Sequence, residues 1–152
     1  IDEVIAERIA RYRAAVADGS SIPEEVRAAV RFAAERVPVA IVSGAARPEI
    51  EPVVEAAGIA GCFTAIVPAE DVELGKPHPD GYRRAHALVG EDIDPEDFVV
   101  FEDTEAGVAS AKAAGMRCLA VLGTLAPERL QEADEIVERI DLPLVQRLFA
   151  EP

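Results

Sequence analysis

Five short runs rich in β-branched residues recur along the chain: VPVAIVSG (37–44), TAIVP (64–68), FVVFED (98–103), RCLAVLG (117–123) and EIVERI (135–140). Most show no apolar/polar alternation, which is how strands covered on both faces read. Segments with apolar residues at helical spacing lie between them: ARPEIEPVVEAAGI, DGYRRAHALVG, EAGVASAKAAG, a stretch near PERLQEA, and DLPLVQRLF with Asp141 as candidate cap. Strand, helix, strand, helix at this spacing predicts an α/β domain, a parallel sheet with helices on both faces. Two further helices are predicted upstream. One covers IDEVIAERIARYRAAVADG, ending at Asp18-Gly19, and the other SIPEEVRAAVRFAAER, with Ser21 as candidate cap and Pro23 in its first turn.

Composition limits what such a sheet can serve. Apolar residues make up 50% and aromatics 5%, without Trp, so Ala, Val, Leu and Ile must build the core. Twenty-nine acidic residues against fifteen basic ones give a formal charge of -14, which argues against nucleic acid or an anionic membrane as partner. An anionic ligand then needs a local positive site. Cys62 and Cys118 have no metal-ligand spacing and read as reduced, buried thiols. No apolar run approaches the roughly 18 residues of a membrane span, and no signal-peptide pattern is present, so a cytoplasmic location is the default expectation. The first residue is Ile1, not Met, which suggests a segment upstream.

In parallel α/β sheets ligands bind outside the carboxyl ends of the strands. Three ends carry chemistry-capable residues: Ser43-Gly44 after VAIV, Lys76 in ELGKPHPD after TAIVP, and Glu102-Asp103 after VVF. Singly these are a turn, a surface lysine and an acidic helix start. Together they suit a phosphate held by a hydroxyl, backbone N–H groups and an ammonium, with carboxylates for Mg²⁺. Strand side chains alternate, so Glu102 and Asp103 should not be equivalent ligands unless the strand ends between them. Thirteen arginines stand against two lysines, Lys76 and Lys112, so a lysine in GKPHP suggests that a compact ammonium is needed there; Pro77 and Pro79 stiffen its loop. His78 and His86 read as a loop and a helix residue, Lys112 as helix surface, and Asp80 as the cap of the helix after GKPHP.

The ordered set IVSGA, GKPHPDGY and VVFEDTEAGVASAKAAGM resembles the haloacid dehalogenase-like hydrolases, in the branch of phosphoglycolate phosphatases and β-phosphoglucomutases, over roughly residues 37 to 122. The resemblance implies a Rossmann-like core, Mg²⁺, and an aspartate nucleophile that is transiently phosphorylated. By position, Ser43 and the Gly44 N–H would bind the transferring phosphoryl group, Lys76 would bridge it to the nucleophile, Asp103 would ligate Mg²⁺ with Glu102 beside it, and Arg47 would touch substrate phosphate. The expected substrate is a small phosphate ester, such as a sugar phosphate or phosphoglycolate; oligomeric state is silent.

The family's first motif, Asp-x-Asp ending an apolar strand, is absent. Asp92 and Asp94 have the spacing but precede a strand, which suits a loop and helix-capping role. In the family the missing strand lies at the centre of the sheet, between those ending at Ser43 and Asp103. The expectation is therefore a core domain over 20–152, incomplete at its N-terminus, preceded by a residual cap-domain helix over 1–19. The complete protein would be a phosphatase, with a phosphomutase or a non-catalytic phosphate- or metal-binding fragment as alternatives. A dehalogenase fits less well, because those relatives carry Ser-Asn where Glu102-Asp103 stands.

Overall fold

The computed structural model describes residues 14–152. The helix expected over 1–19 lies mostly outside them; residues 14–16 are helical and the chain turns at Gly19 (φ 75°). Five further helices and five strands follow: α1 (Glu24–Ala34), β1 (Ala40–Val42), α2 (Arg47–Ala56), β2 (Ala65–Val67), α3 (Asp80–Val89), β3 (Val99–Glu102), α4 (Glu105–Ala113), β4 (Arg117–Val121), β5 (Glu135–Val137) and α5 (Leu142–Ala150). All strand pairing is parallel: β1 with β2, and β3 with β4 with β5. The α/β fold read from the alternation is the one formed.

Local chemistry accounts for the boundaries. Thr104 caps α4 by accepting from the Gly107 amide at 3.0 Å, and Asp141 caps α5 through the Leu144 amide at 2.9 Å. Gly115 (φ 79°) ends α4 in a Schellman turn, with the Met116 amide bonded to Ala111 O and the Gly115 amide to Lys112 O. A side chain at that backbone angle would be strained.

Three local expectations need correction. Ser21 does not cap α1: the position before the helix is Pro23, with no side-chain cap. Asp80 does not cap α3 but is its first residue, its carboxylate lying 3.1 Å from His78 Nδ1. Acid there still complements the helix dipole. PERLQEA forms only a 3-10 turn, Pro127–Arg129, because Leu130 drops into the core beside Val108 and Met116 in place of continuing a helix.

The main core lies between α3, α4 and the three-stranded sheet: Tyr82, Val108 and Ala111 from the helices against Val100, Cys118 and Ala120 from the strands. Fully burying one such Val or Leu side chain is worth about 1.5–3 kcal/mol. Helix α3 also packs on β1 and β2, and α1 on α5. The thiol of Cys118 is pushed up to about 12, by burial first and then by the Glu102 charge, so it is a neutral core group. Both cysteines are free thiols.

The two sheets do not join. Strand β1 pairs only with β2, and β3 only with β4, so each leaves an edge without a ladder partner among the described residues. Between these edges lies a cleft of about 590 Å³ lined mainly by apolar side chains, including Ile41, Val42, Ala85, Val100, Phe101 and Met116. Two strands thus present backbone hydrogen-bonding groups toward an apolar space, which costs free energy unless a further chain segment satisfies them.

Candidate active site

The carboxyl ends of β1 and β3 flank one mouth of this cleft, and Lys76 joins them. Its ammonium donates to Val42 O, the last carbonyl of β1, at 3.1 Å, and pairs with the Glu102 carboxylate at the end of β3. A lysine ordinarily keeps its charge in water; here the side chain is 22% exposed. Its loop is anchored by Ser110, whose hydroxyl donates to His78 O at 2.7 Å. Close packing of α3 on β1 holds it further, since a Cβ on Gly81 would stand 2.8 Å from Val42 Cγ1. The Lys76–Pro77 peptide is cis.

Glu102 and Asp103, adjacent in sequence, face different surroundings. Glu102 is 8% exposed; its Oε1 takes hydrogen bonds from Lys76 and from the Tyr82 hydroxyl, and its carboxylate lies so close over Gly107 that any Cβ there would overlap it. Asp103 is exposed, with Oδ2 accepting from the Thr124 hydroxyl at 3.1 Å. Strand β3 ends at Glu102, between the two, so the difference shows in their contacts and does not come from strand alternation.

Beyond β1, the Ser43 amide continues the ladder to Val67 O and its hydroxyl accepts from the Ala45 amide at 3.0 Å. The Ala46 and Arg47 amides are taken by the carboxylates of Glu49 and Glu70, both at 2.9 Å. That Arg47 amide, first among the causes, holds the Glu70 carboxyl below its usual range. Gly44 is exposed, and its amide has no acceptor among the described residues. Of the backbone donors in this turn, it is the one left for a ligand.

Of the residues singled out in the sequence, the structure brings Lys76 onto the ends of both strands, through Val42 O and Glu102; Ser43-Gly44 and Asp103 follow those two strand ends in the chain. Arg47 stands apart from them in its bonding: its guanidinium is tied to Glu51, Asp71 and Ile66 O, each at 3.3 Å. Two contributors were not singled out in the sequence, Tyr82 and Thr124. Tyr82 had a usable signal, since a buried tyrosine hydroxyl usually finds a partner and the chain has only two tyrosines; Thr124 had none. His78 and His86 are a loop and a helix residue, as read, and Lys112 lies partly exposed on α4 with its ammonium on Asp134. Among the described residues no three His, Cys, Asp or Glu side chains cluster as a metal site, and no helix is long and apolar enough to cross a membrane.

The family model of haloacid dehalogenase-like hydrolases matches residues 1–115. Validoxylamine A 7'-phosphate phosphatase of Streptomyces hygroscopicus subsp. limoneus is 34% identical over 103 residues, covering 68% of this chain and 47% of the relative. Hexitol phosphatase A of Escherichia coli is 40% identical over 75 residues, covering 49% of this chain and 34% of that protein. Among solved structures, a Thermotoga maritima protein described as a β-phosphoglucomutase superposes with a TM-score of 0.74 at 25% identity, covering 86% of this chain and 61% of that one. The chain spans about half or less of these two phosphatases and under two thirds of that structure.

Proposed function

The chain belongs to the haloacid dehalogenase-like hydrolases, and we propose that the complete protein is a Mg²⁺-dependent phosphatase of small phosphate esters, working through an aspartyl-phosphate. The observation that carries this reading is Lys76: one ammonium that touches the ends of both β1 and β3, the two strands whose facing edges are unpaired among the described residues. A parallel strand seated in the cleft would satisfy both edges, and an aspartate at its carboxyl end would lie beside Lys76. The relatives named as phosphatases of sugar-like phosphates support the reaction class and suggest a phosphorylated sugar or polyol as substrate.

The roles follow from the chemistry of each group. The Gly44 amide and the Ser43 hydroxyl are hydrogen-bond donors for phosphoryl oxygens, the hydroxyl by rotating while it still accepts from Ala45. Lys76 offsets charge on the phosphoryl oxygens and on the nucleophile, a contribution of position and electrostatics. Glu102 keeps that ammonium in place.

Magnesium fits the donor set in part. Asp103 offers an exposed hard oxygen, whereas Glu102 is engaged by Lys76 and Tyr82 and would act beside the ion. One or two carboxylates plus water and phosphate oxygens are the usual Mg²⁺ environment. When bound, the ion supplies further charge neutralisation at the phosphoryl group.

Assay of the complete protein on phosphorylated sugars and polyols tests this. Phosphate release that requires Mg²⁺ and is abolished in Lys76→Ala and in Asp103→Asn is the expected result; full activity in either variant would sink the mechanism. Absence of release from all substrates would favour the phosphate-binding alternative. The structural likeness to a protein described as a β-phosphoglucomutase favours a second reading, a phosphomutase, which would give an isomerised sugar phosphate in place of free phosphate.

A further inference from the structure

Tyr82 enters the reading above only as a partner of Glu102, yet it contacts both members of the ion pair. It lies at the third position of α3, 6% exposed, and its hydroxyl donates to Glu102 Oε1, the oxygen that also takes Lys76. The Lys76 ammonium stands 5.4 Å from the centroid of its ring, within cation–π range. Burial first, and then the Glu102 charge, hold the phenol above its ordinary range, so the hydroxyl stays protonated and acts as a donor. Among the described residues, Lys76 and Tyr82 are the only donors to the Glu102 carboxylate.

We propose that Tyr82 is a positioning residue for Lys76: its hydroxyl fixes the carboxylate oxygen that the ammonium grips, and its ring limits where that ammonium can go. A lysine side chain is a flexible four-carbon stem with a point charge at its tip, so a cation needed at one place must be restrained by what it touches. Val42 O and Glu102 Oε1 are those contacts, and the second moves freely unless something else holds it. Gly107 closes the space on the far side of the carboxylate and Tyr82 fixes its near oxygen. Lysine and tyrosine come from one stretch, GKPHPDGY, so the loop and the first turn of α3 carry both the cation and its restraint. The proposal rests on Lys76 as the phosphate-facing cation; the restraint itself is readable without any turnover.

The two lysines make the test direct. Competitive labelling of the folded chain with a trace of an amine-acylating reagent, read by mass spectrometry, gives the reactivity of Lys76 relative to Lys112, which is bound to Asp134 and serves as internal reference. In Tyr82→Phe the ring remains and only the hydroxyl is lost. The expected result is a rise of the Lys76 to Lys112 labelling ratio by about three- to tenfold, the size of effect one hydrogen bond supports, with the rate at Lys112 unchanged. An unchanged ratio overturns the proposal. So does a parallel rise at both lysines with a lower urea midpoint, which would make the hydroxyl a support of the fold. Failure of the phosphatase reading would show separately, as a wild-type complete protein that releases no phosphate while the labelling ratio still responds.

Discussion

Lys76 and Glu102, far apart in sequence, form an ion pair at the carboxyl end of β3, with Glu102 8% exposed and the Lys76 side chain 22% exposed. Removing one partner of such a pair leaves the other charge desolvated and alone, which costs more than the intact pair contributes. Lys76→Met should therefore destabilise the chain by roughly 3 kcal/mol, the low end for buried pairs because Tyr82 still donates to Glu102. Lys76→Met with Glu102→Gln should recover part of that loss. Urea unfolding of both variants checks it, and a double variant no more stable than the single one contradicts it.

Gly107 offers a test in which two rules predict opposite signs. It lies inside α4, where replacing glycine with alanine normally stabilises by up to about 1 kcal/mol. Here the added Cβ would overlap the Glu102 carboxylate and push it off Lys76 and Tyr82. Gly107→Ala should thus be destabilising, by about 1–3 kcal/mol, the range for overpacking a filled site. A thermal melt above that of the wild type would show that the carboxylate can move aside at no cost.

Asp103, one residue beyond the buried pair, should behave in the opposite way. It is exposed, and its one side-chain partner, the Thr124 hydroxyl, can donate to an amide oxygen as well. Asp103→Asn should leave stability within about 0.5 kcal/mol of the wild type, as for other surface changes. In the complete protein the same change should abolish Mg²⁺-dependent phosphate release. Loss of both fold and activity would mean that the carboxylate serves the fold.

Much of this site could be read before the structure because the strand ends are punctuated by residues of unlike chemistry: Ser43-Gly44 and Glu102-Asp103 each break an apolar run. Hidden from the sequence were contacts made across elements. The carboxylates of Glu70 and Asp71, which hold the amide and guanidinium of Arg47, look like ordinary solvated acids in PAEDVE. PERLQEA has helical spacing, yet burial of Leu130 overrides local propensity and stops it after one 3-10 turn. The gap between β1 and β3 was legible only through the family resemblance, because a chain shows which strands it has and not which pairs they make.

Asp134 ties the start of β5 to β4 and α4, and its charge gives that tie a pH dependence. Both carboxylate oxygens take Lys112 Nζ at 2.8 Å, and Oδ2 also accepts from the Cys118 amide at 2.8 Å. The lysine first, and the amide second, hold its carboxyl below the ordinary 3.8. A carboxyl depressed in the folded state binds fewer protons there than in the unfolded state. Its contribution is therefore fully present above the unfolded value and is lost as pH falls through the folded one. The side chain is 38% exposed, so solvent screens the pair and the effect should stay under about 1 kcal/mol. Asp134→Asn should lower the urea midpoint at neutral pH, and the difference from wild type should shrink as the pH falls below the ordinary carboxyl range and the wild-type carboxylate takes up its proton. A gap between the two that stays constant over that interval would assign the tie to shape and neutral hydrogen bonding, with the ion pair to Lys112 contributing nothing.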